Sequence, residues 1–126
     1  MTMYDGAMVR IKRVFDKASP DDGWRVLVDK LWPRGVRKES AALNYWAKEL
    51  APSDELREFY HHDPRRWGLF QAKFRAELTA PAAVKTLTAL GEKARAGAVT
   101  LVFASREPVK NNATVVKDIL ESFFLV

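Results

Sequence analysis

The sequence predicts an α/β domain: a small, mostly parallel sheet with helices on both faces, a three-layer sandwich. Three observations carry this. Val26-Leu27-Val28 and Val99-Thr100-Leu101-Val102-Phe103-Ala104 are short, nearly continuous apolar runs, as expected of strands buried on both faces. Between and after them, apolar residues recur at spacings of three and four, the helical period. The length of 126 residues suits one domain, since single domains commonly hold about 100–150 residues. We expect a flexible N-terminus over residues 1–8 and a single domain over 9–126.

Taken in order, Val9 to Phe15 alternates apolar and cationic side chains, the pattern of a half-buried strand. Ser19-Pro20-Asp21-Asp22-Gly23 is a turn by composition. A buried strand follows over Arg25–Leu31. Only a short loop separates it from the first strand, whereas a parallel crossover needs about a dozen residues, so their relative direction is open. Beyond Pro33-Arg34-Gly35, Ser40 is placed to cap a helix with Leu43, Trp46, Ala47 and Leu50 on one stripe, ended by Pro52.

Ser53 caps a second helix, Asp54 to Tyr60, and Asp63-Pro64 opens a third that buries Trp67, Phe70, Phe74 and Leu78. Pro81 begins a fourth, with Val84, Leu87, Leu90 and Ala94 inward and Gly97 at its end. The second buried strand is Val99–Ala104. Asn111 or Asn112 caps a last helix with Val115, Val116, Ile119, Leu120 and Phe123 inward. The tail from Phe123 to Val126 is apolar enough to pack on the body or on a partner subunit.

Composition excludes several chemistries. The chain has no cysteine, which removes disulfides, thiolate metal sites and a cysteine nucleophile. No G-x-G pair, P-loop or G-x-S-x-G elbow occurs. His61-His62-Asp63 lacks metal-ligand spacing and reads as a surface or capping feature, with one histidine in reach of acid–base work if it stands near a crevice. No metal and no cofactor are therefore expected. No apolar run reaches the roughly 18 residues that span a bilayer, and the start lacks a signal-peptide core, so a cytoplasmic protein without membrane contact is expected. A net charge of +5 favours anionic partners, although 16 acidic residues are spread among 21 basic ones.

Ligands in open α/β sheets bind outside the C-terminal strand ends. After the second strand come Asp29, Trp32, Arg34, Gly35 and Arg37; after the late strand come Ser105, Arg106, Glu107, Lys110, Asn111 and Asn112. If the two strands are neighbours, these loops share a crevice. Arginine offers a planar fork matched to phosphate or carboxylate. Asp29 and Arg34 are the candidate catalytic residues if a ligand is turned over. Trp32, Arg34, Gly35, Arg37, Ser105, Arg106, Asn111 and Asn112 are the candidate ligand-binding residues.

Several motifs occur in one order: Arg10-Ile11-Lys12-Arg13-Val14, Ser19-Pro20-Asp21-Asp22-Gly23, Arg25-Val26-Leu27-Val28-Asp29, Leu31-Trp32-Pro33-Arg34-Gly35, Trp46 through Ser53, and His62-Asp63-Pro64 with Trp67. Together they resemble the YeaO-like branch of the domain of unknown function 488 family over residues 9–122. The resemblance implies a small bacterial α/β domain and no particular activity. Longer relatives carry a cysteine-containing segment where this chain reads Val102-Phe103-Ala104-Ser105, and usually histidine where it has Asn111-Asn112. The resemblance therefore brings no thiol mechanism here, and the asparagines read as hydrogen-bonding or capping residues. Labels of transcriptional regulator or porphyrin-precursor methyltransferase attached to some relatives find no support in these residues.

The expected function is binding of a small phosphate- or carboxylate-bearing ligand at the strand ends, with or without catalysis. One alternative is a nucleic-acid-binding or regulatory module, non-specific in its contacts, using Arg10, Lys12, Arg13, Arg65 and Arg66. Another is a scaffold that forms a homodimer through its apolar tail.

Overall fold

In the computed structural model, which describes residues 8–61 and 63–125, four strands form one sheet. They are β1 Met8–Arg13, β2 Trp24–Leu27, β3 Tyr45–Trp46 and β4 Ala98–Phe103, in the order β1-β4-β2-β3, every pair parallel. The late apolar run is thus an interior strand between the first two. Leu101 lies opposite both Ile11 and Val26, and Val102 opposite both Lys12 and Leu27. The open question of direction is settled because β1 and β2 do not pair with each other: β4 stands between them, parallel to both. Met8, expected in the flexible terminus, opens β1, and residues 1–7 lie outside the described residues.

Alternation along strands sends successive side chains to opposite faces. Val9, Val26, Val28, Val99, Leu101 and Phe103 join the large core, built with residues of α2 (Asp54–Tyr60), α3 (Trp67–Glu77), α4 (Pro81–Ala96) and α5 (Asn112–Ile119). Leu27 and Val102 enter a small cluster with Val14 and Ala41, the latter from the single-turn helix α1 (Lys38–Ala41). Helical structure lies on both faces, unequally.

Local chemistry accounts for the helix starts. The Ser53 hydroxyl accepts from the Leu56 amide, and the Asp63 carboxylate accepts from the Arg65 amide where a 3-10 turn, Pro64–Arg66, leads into α3. Asn111 accepts from the Thr114 amide at the head of α5. At the chain's end, Phe124 and Leu125 pack against the large core, and Gly91 of α4 lets the Phe124 backbone approach where a Cβ would meet its carbonyl at 2.8 Å. The tail therefore packs on the body through these two residues, and Val126 lies outside the described residues.

Four expectations are corrected. The helix expected from Ser40 through Leu50 is replaced by α1, β3 and a 3-10 turn at Lys48–Leu50. Ala42, at φ 48° in the left-handed region, ends α1, and Asn44 then mimics a strand: its amide donates to the Arg25 carbonyl and its side chain accepts from the Arg25 amide. The apolar stripe is real, but Trp46 reaches the small cluster while Ala47 and Leu50 reach the large one. The second strand ends at Leu27, and Leu31 is exposed rather than buried. On α4 it is Ala83 that is buried and Val84 that is exposed. Phe123 is 72% exposed because Leu120–Phe124 widen into a π-helical turn that rotates it off the core.

The N-terminal half of the small-cluster face is polar. Asp22 and Arg25 are each nearly fully buried and meet at 2.6 Å, and Lys12 approaches the same carboxylate at 3.2 Å. Arg25 also donates to the Ala41 carbonyl, and Thr100 donates to the Asp22 carbonyl. This network anchors the turn to three strands and α1. Gly23 is required beside it, since at φ +63° a Cβ would lie 2.2 Å from the Ala98 carbonyl oxygen. Burial pushes the Asp22 carboxyl up, but the Ser19 amide, Lys12 and Arg25 outweigh it and hold it below its ordinary value. Its contribution is therefore present above the ordinary carboxylate range and lost as pH falls through the depressed folded value. Asp22→Ala strands a buried guanidinium, and urea unfolding at neutral pH should show a loss of about 3–5 kcal/mol; a loss under ~1 kcal/mol, the value of exposed pairs, would contradict this role.

Candidate functional site

The adjacent strands β2 and β4 send their chains in opposite directions, one toward β3 and the other into α5, and a crevice opens between their C-terminal ends. The two loops meet there. The Asp29 carboxylate accepts from the Ala104 amide at 2.8 Å and, through its other oxygen, from the Asn112 side-chain amide at 3.0 Å. Asn112 also donates to the Val28 carbonyl at 2.9 Å. One acidic side chain thus joins the end of β2, the end of β4 and the first residue of α5.

Above this clasp lies a cleft of about 990 Å³. Its lining includes Trp32 and Pro33 from the loop after β2 and Ser105 to Pro108 from the loop after β4. Arg57, Glu58, Tyr60 and His61 come from α2 and its end. The Tyr60 hydroxyl donates to the Lys110 carbonyl at 2.8 Å, fastening α2 to the late loop. A smaller hollow of about 470 Å³ is lined by Arg13, Phe15, Pro33, Arg34, Ala104 and Arg106.

Of the residues singled out from sequence, Asp29, Trp32, Ser105, Arg106, Asn111 and Asn112 line the cleft. Arg34 lines the smaller hollow, and Arg106 lines both. Gly35, at φ +78°, and Arg37, in the N-cap position of α1, line neither. Trp32 donates from its indole to the Val36 carbonyl and meets Trp46 edge-on at 5.4 Å, so its ring is held as a wall. Asn111 is buried with both ends of its amide engaged, by the Thr114 amide and the Glu107 carbonyl. The Ser105 hydroxyl accepts from the Glu107 amide, and the Glu107 carboxylate accepts from the amides of Val109 and Lys110, which hold it below its ordinary value.

The wall from α2, with Phe70 behind it, was missed by sequence reasoning, because it follows from how the helix docks. Arg13 at the hollow was missed as well. Its signal was present: a cation ends a strand that turns out to be parallel to β4 and beside it. Among the cations weighed as a nucleic-acid stripe, Lys12 is bound to Asp22 and Arg65 to Asp63, while Arg66 donates to the Phe59 carbonyl. His61 lines the cleft, and His62 lies outside the described residues. Among the described residues no group of three or more histidine or carboxylate side chains is placed to hold a metal. None of the described helices is long and apolar enough to cross a membrane.

A parallel α/β domain with a crevice at its central strand ends is the class this geometry defines. The chain belongs to the DUF488 family, matching over residues 8–125 the family model described as the Inactive DUF488-N3 subclade. An uncharacterized protein of Mycobacterium tuberculosis is 42% identical over 112 residues, covering 89% of this chain and 92% of the relative. The uncharacterized protein YeaO of Escherichia coli is 37% identical over 114 residues, covering 90% and 97%. No solved structure matches.

Burial pushes the Asp29 carboxyl above its ordinary 3.8, with the Asn112 and Ala104 hydrogen bonds and the Arg57 charge pulling only part of the way back. A raised folded value means that ionising Asp29 opposes folding, so stability falls as pH climbs from 3.8 through that value. In Asp29→Asn this fall is absent. Measured by denaturant unfolding, the stability of Asp29→Asn relative to the parent should improve from pH 4 to pH 7; a difference that does not move with pH would refute it.

Proposed function

We propose that this protein binds a small anionic molecule, phosphate- or carboxylate-bearing, at the crevice between β2 and β4, and that it binds without turning its ligand over. The observation that carries the reading is the junction of the two strand-end loops over Asp29, beside a cleft of about 990 Å³. Ligand pockets commonly measure about 300–1,000 Å³ and lie at this place in open α/β sheets. Arg106 is exposed at its edge, forms no ion pair or hydrogen bond through its side chain among the described residues, and is the first anion contact in this reading.

Two considerations favour binding over catalysis. The matching subclade is described as inactive, and the polar groups of the crevice floor are already committed to one another: Asp29 to Ala104 and Asn112, Ser105 to Glu107, Asn111 to Thr114. In this reading Asp29 shapes the site, and Arg34 and Arg106 supply charge. Ligand binding raises the melting temperature by mass action. A thermal-shift screen of inorganic phosphate, nucleotides, sugar phosphates and small carboxylates should therefore find stabilising anions, with the shift reduced by at least half in Arg106→Ala. Stabilisation unchanged in that variant, or absent for every anion tested, would sink the assignment.

A further inference from the structure

Three strand ends each deliver one arginine to the smaller hollow: Arg13 closes β1, Arg34 sits in the turn after β2, and Arg106 lies in the loop after β4. No aspartate or glutamate lines it. Arg13 is fixed there by donating from Nε to the Ser105 carbonyl at 3.0 Å and by lying over the Phe15 ring, 5.0 Å from its centre. Its terminal guanidinium nitrogens have no hydrogen-bond acceptor among the described residues. Neither do the side chains of Arg34 and Arg106, and none of the three forms an ion pair there. Guanidinium groups gathered without a counter-charge repel one another, and an anion seated among them would satisfy several donors at once.

The main cleft is different in character. Of its four basic side chains, Lys30 and Arg57 already meet Asp54 at 3.1 Å and 2.7 Å, Lys110 lies near enough to Glu107 to lower its carboxyl, and Arg106 is shared with the hollow; it also contains Asp29, Glu58 and Glu107. The rest of its lining includes Leu31, Trp32, Tyr60, Phe70 and Pro108, which suit an apolar body. Pro33, Ala104 and Arg106 line both spaces, so the two adjoin.

Building on the anion-binding reading above, we propose that the ligand has two parts: a compact apolar or aromatic body in the cleft, and a phosphate or carboxylate head in the three-arginine hollow. An anionic head lacking such a body gains only the electrostatic half of the site.

Isothermal titration of the full chain with inorganic phosphate, phenyl phosphate and benzoate tests this, using the parent, Arg34→Ala, Arg106→Ala and Leu31→Ser, all at exposed positions. Phenyl phosphate should bind the parent at least about tenfold more tightly than inorganic phosphate, the equivalent of burying roughly two methylene-sized groups. Arg34→Ala should weaken phenyl phosphate by about tenfold, as expected for loss of a charge-assisted contact. Leu31→Ser should weaken phenyl phosphate and leave inorganic phosphate unchanged. Benzoate binding more tightly than phenyl phosphate, and losing affinity in Arg34→Ala, would support the same two-part site with a carboxylate head. Equal affinity for phenyl phosphate and inorganic phosphate would overturn the two-part ligand while leaving anion binding in place. Loss of affinity in Arg106→Ala but not in Arg34→Ala would move the head out of the hollow. Failure of all three probes to bind the parent would overturn the two-part proposal and count against the anion-binding reading as well.

Discussion

The strand-end architecture depends on one carboxylate. Asp29 accepts from the backbone of the loop after β4 and from the side chain of the first residue of α5. Without those bonds, two loops 75 residues apart in sequence would have only apolar packing to hold them in register. Apolar packing is not directional, whereas two hydrogen bonds to opposite oxygens of one group fix distance and angle together. The cost is desolvation of an acid, visible in its raised ionisation range. The walls of the cleft and the junction with the arginine hollow rest on this clasp, since Ala104 sits between the two spaces.

Asp22, at the opposite end of the sheet, solves the same problem with the opposite electrostatic result. It too is buried, yet Lys12, Arg25 and the Ser19 amide surround it, and its ionised form is favoured. Asp29 has backbone and amide donors but no cation in direct contact. The difference lies in the number and charge of the donors. The N-terminal end of the sheet is closed by an internally neutralised network, while the C-terminal end keeps arginines without acidic partners.

The clasp at Asp29 bears on what the family relationship means. The resemblance places a cysteine in longer relatives along the segment that here ends in Ala104-Ser105, and histidine near the position of Asn111-Asn112. In this chain the Ala104 amide and the Asn112 side chain complete the clasp with Asp29, and Asn111 caps α5. These positions serve structure, which accords with membership of a subclade described as inactive. The crevice, with arginines at its edge, is the basis for reading the domain as a binder.

The class of fold was legible because burial on both faces leaves a local mark: consecutive apolar residues in Val26–Val28 and Val99–Ala104 can be satisfied only inside a covered sheet. Helix starts at Ser53, Asp63-Pro64 and Asn111 were legible for the same kind of reason, since each capping side chain accepts from an amide two or three residues on, and Pro81 brings its own fixed φ to the first helical position. The stretch from Leu43 to Leu50 misled because a three-and-four apolar spacing also fits a chain that feeds two cores in turn, and the Asn44 bonds to Arg25 that make β3 come from 19 residues away. The candidate site divides along the same line. The sequence by itself determined which residue types stand after each buried strand, and so where chemistry could lie. Only the tertiary structure decided that β4 lies between β1 and β2, that Asp29 joins the two loops, that Arg13 joins Arg34 and Arg106, and that Gly35 and Arg37 stand apart. Strand order and loop closure are set by contacts between distant segments, and no local pattern encodes them.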